Sequence, residues 1–164
     1  MKGTRTIRNG MLALLAAAAT ATLAEAQNSP ARWVNRNTGA APTQGAIIGG
    51  DNGDGRVLYI CRAQHNGGWH PGKVHADMCH FGWGGKEIYV RTYQVLAGYG
   101  VWRRPFGDLN KAYIGGGSGN DKYRICRAPH RGGVHPGKVV AGRCNIGWGG
   151  QEIVIDGYEV LFPR

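Results

Sequence analysis

The sequence predicts an all-β protein, a compact β-sandwich of two tandem repeats with internal pseudo-twofold symmetry. Three observations carry that prediction. First, the chain says the same thing twice. Residues 60–96 and 125–161 align at a constant 65-residue register without a gap, with 23 of 37 positions identical. Upstream, AIIGGDNGDGRVLY pairs with AYIGGGSGNDKYR after a one-residue deletion. A period this long, present only twice, fits two copies of one body better than a stacked array. Second, the 29 glycines cut nearly every apolar run short, and no segment sustains a helical i, i+3, i+4, i+7 pattern. Third, the four cysteines fall at equivalent positions, Cys61 and Cys79, then Cys126 and Cys144.

The elements follow in order along the chain. Residues 1–26 have a basic start (Lys2, Arg5, Arg8), an apolar run from Met11 to Ala19 and an A-x-A ending. They predict a signal peptide cleaved near Ala26, and hence a secreted or periplasmic product. The run is about half the ~20 residues that a membrane span needs, so membrane insertion is not expected. Residues 27–45 read as an irregular arm anchored by Trp33. Residues 46–164 form a single domain of two repeats, 46–97 and 112–162. They are joined by a linker, 98–111, whose Tyr99, Trp102 and Phe106 should pack across the seam. Within the first repeat, strands are expected at 57–63, 73–76 and 87–96; the second repeats them at 122–128, 138–141 and 152–162. Short strands between Gly-rich turns mean a sandwich or a barrel.

Charge and cysteines narrow the function classes. The chain carries +10 at neutral pH, about +8 without the leader. The basic residues are scattered, with no run beyond Arg103-Arg104, and export makes nucleic acid an unsuitable partner. In an exported chain four cysteines are a disulfide framework, for which three connectivities are possible. The ungapped repeat favours Cys61–Cys79 and Cys126–Cys144, each closing its own copy and contributing ~3 kcal/mol in the chain-entropy view. A zinc site is the rival use of these thiols, but no C-x-x-C pair is present.

Polar residues that recur are the candidates for function. His70-Pro71-Gly72-Lys73 returns as His135-Pro136-Gly137-Lys138. Pro-Gly predicts a type II turn, which would hold each lysine at a strand start, facing a ligand. Removing such a lysine should cost folding little. Asp51 and Asp54 lie on a hairpin turn beside the first such strand, while the second copy keeps only Asp121. A carboxylate near a fixed ammonium can clamp neighbouring sugar hydroxyls by charge-assisted hydrogen bonds. Glu87 and Glu152 close identical Gly-Trp-Gly-Gly-x-Glu stretches, in which Trp83 and Trp148 either fill the core or face a sugar. Paired carboxylates invite a glycosidase reading. Their equivalence argues against it, because an acid and a nucleophile need different environments; each Glu is expected to secure its own copy's turn or site. Six histidines tempt a metal reading, yet only His65/His130 and His70/His135 recur, and no metal site or cofactor is expected. No catalytic constellation stands out, so an enzyme is not expected.

These motifs together resemble the DM-nine repeat. The pattern is carried by Gly49-Gly50-Asp51, Tyr59, Arg62-Ala63, His65, Pro71-Gly72-Lys73, Cys79, Gly84-Gly85-Lys86-Glu87 and Tyr93-Gln94-Val95-Leu96. The second copy matches from Gly115-Gly116 to Tyr158-Glu159-Val160-Leu161. The family includes mannose-recognising invertebrate lectins and natterin-like lectin modules. The resemblance implies a β-sandwich with one glycan site per repeat. Carried over by motif, the sugar contacts would be Asp51 or Asp54 with Lys73, and Asp121 with Lys138, beside Glu87 and Glu152. The expected function is therefore that of a secreted, non-catalytic lectin for mannose-type glycans, with a homodimer as the assembly to test. The alternative is a disulfide-stapled structural or adhesive envelope protein with no small ligand.

Overall fold

A computed structural model describes residues 30–38 and 44–164. The expected signal peptide lies outside the described residues. Fourteen strands follow one another: β1 (Arg32–Asn37), β2 (Ile48–Asp51), β3 (Val57–His65), β4 (Gly68–His75), β5 (Met78–Trp83), β6 (Lys86–Val90), β7 (Thr92–Ala97), β8 (Val101–Arg103), β9 (Ile114–Ser118), β10 (Asp121–His130), β11 (Gly133–Val140), β12 (Arg143–Trp148), β13 (Gln151–Ile155) and β14 (Glu159–Phe162). A single 3-10 turn, Leu109–Lys111, interrupts them, and no α-helix occurs among the described residues. None of their helices is long and apolar enough to cross a membrane.

The order β3-β2-β11-β12-β13-β6-β5-β4 closes on itself, because β4 also pairs with β3. The result is an eight-stranded ring to which the other strands attach. Ring closure leaves no free edge in these eight strands, the usual liability of a sheet. Repeat one supplies five consecutive strands of the ring (β6, β5, β4, β3, β2) and repeat two the other three (β11, β12, β13). Three antiparallel seams join them: Val134 opposite Asp51, Trp69 opposite Gly117, and Gln151 opposite Lys86.

Both disulfides pair within a repeat, Cys61–Cys79 and Cys126–Cys144, with Cα atoms 5.8 and 5.9 Å apart. Two such bridges point to an oxidising compartment. They also explain the ring's corners. Cys61 lies on β3 and Cys79 on β5, the two neighbours of β4, which a flat sheet would hold about 10 Å apart. The sheet must fold sharply along β4, and Gly72, paired with Cys61, sits at the fold. A Cβ there would lie 2.8 Å from the Phe81 side chain. Gly137 does the same in β11, where a Cβ would meet Ile146 at 2.9 Å.

This corrects the expected type II turn. Pro71-Gly72 and Pro136-Gly137 lie inside β4 and β11, and neither glycine has the positive φ such a turn requires. The real hairpins are two-residue turns with positive φ at both centres, as at Asn66-Gly67, Gly84-Gly85 and Ala76-Asp77. Two further expectations change. The arm contributes a strand, β1, paired with β7, and the linker contributes β8, paired with β14. The Met78–Trp83 stretch, outside the expected strands, is β5.

Of four core clusters, one gathers Ala112, Val160 and Phe162, and the other three have related contents. Cys61, Ala63, Cys79, Phe81, Tyr93 and Val95 fill the first repeat, with Trp83 packed against them. Cys126, Ala128, Cys144 and Ile146 fill the second, with Trp148 at the same place. Between them Ile47, Ile60 and Leu96 meet Ile125 and Leu161, under Trp33 and Trp102. Of the linker's aromatics, Trp102 packs at this seam, whereas Phe106 is 80% exposed.

Candidate functional site

The Pro-Gly-Lys lysines are not on the surface. Lys73 is 3% exposed and Lys138 2%. Each ammonium crosses into the other repeat. Lys73 Nζ donates to the Gly147 carbonyl at 2.7 Å and approaches His135 Nδ1 at 3.3 Å. Lys138 Nζ donates to the Gly82 carbonyl and approaches His70 Nδ1 at 3.4 Å. An ammonium can only donate, so both imidazoles accept at Nδ1 and carry their proton on Nε2. Those Nε2–H groups donate to the His65 and His130 carbonyls at 3.0 and 3.1 Å. Burial, and then the facing lysine, push both histidines down to about 4. Burial likewise brings Lys138 down to about 8, with Glu152 opposing, and lowers Lys73 against the pull of Glu87.

The prolines complete the same clasp. A Cβ on Gly115 would lie 2.5 Å from Pro71 Cγ, and Gly49 is packed as closely on Pro136. The recurrent His-Pro-Gly-Lys is thus a reciprocal lock between repeats. A lysine so placed is part of the core, which reverses the expectation that its loss would cost folding little.

Glu87 and Glu152 also reach across. Glu87 Oε2 accepts from Gly150 N, and Glu152 Oε2 from Gly85 N, both at 3.0 Å. Each carboxylate secures the other copy's Gly-Gly turn rather than its own. Glu87 is buried, which by itself would raise its pKa. The hydrogen bonds from His80 and Gly150, with Lys73 3.9 Å away, outweigh that and hold it low. Gly82 and Gly147 permit this crossing. A Cβ on either would lie 2.7 Å from the opposite glutamate's Cγ.

The turn aspartates are less tightly gathered. Asp51, half-buried at the end of β2, accepts from Gly53 N at 2.8 Å and acts electrostatically on His135. Asp51 and Lys73 therefore both bear on His135, one repeat meeting the other. Asp54 is turned to solvent and paired with Arg56 at 2.6 Å, whose hydrogen bond holds it down to about 2. Asp121 is exposed at the start of β10, and Lys138 is surrounded instead by His70, Gly82 and the rings of Phe81 and Tyr123.

Two surface groupings escaped the sequence reading. In repeat one the Arg62 guanidinium lies between the Trp33 and Trp69 rings, 4.3 and 4.7 Å from their centres, and donates to Gln94 at 2.7 Å. In repeat two Arg127 stacks on Trp102 at 4.6 Å and donates to Glu159 at 2.7 Å. There Val134 replaces Trp69, and an open groove of about 690 Å³ remains. Arg127, Glu159, Tyr158, Asp156, Arg104 and Phe106 line it, the last 80% exposed. The available signal was the difference between copies, Trp69 against Val134 and Gln64 against Pro129, rather than their identity.

The comparison with known families agrees with this architecture. The DM9 repeat pattern matches residues 20–90 and 116–164, most of the chain. The chain belongs to the DM9 repeat family. Among curated proteins, none matches this DM9 protein. A solved structure that resembles it is the nematode sperm cell motility protein MFP2B, at 21% identity and a TM-score of 0.59. The match covers 82% of the DM9 chain and 47% of the nematode protein, so the chain spans about half that protein's length. At this identity the likeness concerns the fold alone.

Proposed function

We propose that this DM9 protein is a secreted, non-catalytic lectin for mannose-type glycans, and that it takes them in the groove of the second repeat. The observation that carries the reading is the lining of that groove. A pyranose offers an apolar C–H face and a rim of hydroxyls. Exposed Phe106 and half-buried Tyr158 suit the face, and the Arg127–Glu159 pair with Asp156 and Arg104 suits the hydroxyls. Its volume is within the usual range for a small-ligand site. The reciprocal contacts of residues 46–164 support one domain of two pseudo-twofold-related repeats. The approach of β5 to β12 supports describing the ring as a flattened, sandwich-like body. The leader pattern and the two disulfides support export. Binding without catalysis suits Glu87 and Glu152, whose carboxylates hold opposing turns.

The scaffold reading retains one specific support: buried Lys73 and Lys138 make the most recurrent polar motif a lock rather than a ligand site. Titration of a mannose-type oligosaccharide into the parent and into Phe106→Ala separates the readings. Phe106 is exposed, so its loss should spare stability while removing about 0.5–1.5 kcal/mol of aromatic contact, roughly three- to tenfold in affinity. A parent that binds no glycan favours the scaffold. Binding lost on Asp51→Asn and unchanged in Phe106→Ala moves the sugar to the Asp51 turn.

A further inference from the structure

The face of β4–β6 that bears Lys73 carries side chains that the second repeat lacks. Lys73 and Glu87 recur, but His75, His80 and Tyr89 stand where repeat two has Val140, Asn145 and Val154. The register sets Lys73 opposite His80 and His80 opposite Tyr89. Strand alternation then brings His75 and Glu87 to the same face.

His80 is 6% exposed, and its Nδ1 lies 3.2 Å from Glu87 Oε1. The carboxylate accepts, so Nδ1 carries a proton, and in the neutral ring Nε2 holds the lone pair. Among the described residues, this Nε2 is the only buried side-chain nitrogen or oxygen without a hydrogen-bond partner. The His75 ring stands 5.2 Å away, centre to centre, nearly perpendicular. Two imidazoles sharing one tetrahedral metal through bonds of ~2.0–2.1 Å hold their ring centres about 5 Å apart. A metal-ligating histidine characteristically gives its other N–H to a carboxylate.

We propose that His75 and His80 form a two-imidazole site for a first-row divalent metal, Cu²⁺ ahead of Zn²⁺, with Glu87 orienting His80. The order of the two metals follows their general affinity for nitrogen ligands. No three His, Cys, Asp or Glu side chains among the described residues converge on a metal position, so water completes the coordination. The nearby cations are each balanced: Lys73 faces Glu87 at 3.9 Å, and Arg56 is paired with Asp54 at 2.6 Å. The Tyr89 ring packs 4.6 Å from that of His80 and is 51% exposed, with its hydroxyl donating to Glu87 at 3.5 Å.

The second repeat supplies the test variants, since His75→Val and His80→Asn install residues that the equivalent strands accept. Cu²⁺ and Zn²⁺ are titrated separately into the disulfide-intact protein by calorimetry at pH 7.5. The parent should bind one equivalent, Cu²⁺ more tightly. Each substitution should weaken binding by more than the ~10–100-fold that loss of an orienting partner costs, while His130→Asn leaves it unchanged. Electron paramagnetic resonance of the Cu²⁺-loaded parent, which needs no variant to fold, should report two imidazole nitrogens. A parent without stoichiometric binding, a resonance showing fewer than two imidazoles, or binding that survives in folded His75→Val/His80→Asn overturns the proposal.

Discussion

Lowering the pH should unlatch the two repeats. His70 and His135 are buried and neutral, held near 4 against an ordinary 6.5. Between those values the unfolded chain binds more protons than the native one, so stability falls as the pH falls through the window. At pH 5 an unfolded histidine has gained almost a full proton and the native one almost none. The loss is about 2 kcal/mol per histidine, or roughly 4 kcal/mol for the pair, a large share of a typical domain's stability. Urea unfolding followed by tryptophan fluorescence at pH 7.5 and pH 5 measures it, with an unchanged slope if the unfolded state is the same. His70→Gln/His135→Gln provides the control. A glutamine can accept from the lysine and donate to the backbone carbonyl, yet it does not titrate. His75 and His130 shift in the same direction, so a smaller dependence should persist. A parent as stable at pH 5 as at pH 7.5, or a double variant with an undiminished loss, would refute the reasoning.

Other consequences are measurable on the same material. Lys73→Ala should destabilise by about 3–5 kcal/mol in urea, because it strips one partner from a buried pair and leaves the Gly147 carbonyl bare. A cost below 1 kcal/mol would restore the lysine to the surface. Raising the pH from 8 to 9.5 should stabilise the fold, since the depressed Lys138 sheds its proton before its unfolded counterpart does; an opposite slope counts against its burial. Ala76→Gly and Ala141→Gly should each raise stability by about 0.5–1 kcal/mol, as both alanines hold positive φ. Non-reducing peptide mapping should recover Cys61 with Cys79 and Cys126 with Cys144; a Cys61–Cys126 peptide would contradict the ring's corners.

Repetition made the fold class and the disulfides legible, since one ungapped register allows each copy to close alone. It made the lysines misleading for the same reason. A residue kept in both copies is kept by whatever both copies share, and here that is their contact with each other. Pro71-Gly72 reads locally as a turn. Only the disulfide across β4 shows that the glycine serves a fold in the sheet, and that information lies in tertiary packing. The strands β1 and β8 were hidden by the same limit: few apolar residues alternate in them, and pairing with β7 and β14 defines them. The groove and the imidazole pair were legible only as differences between copies, at Val134 and at His75, His80 and Tyr89.

The central claim is that the recurrent motif locks the fold while a copy-specific surface binds glycan. Amide chemical-shift mapping during titration with a mannose-type oligosaccharide tests it most directly. The account predicts shifts at Arg104, Phe106, Arg127, Tyr158 and Glu159, with Lys73, Lys138 and their histidines unmoved. Shifts centred on Asp51 and the 131–133 turn, or none at saturating sugar, would contradict it.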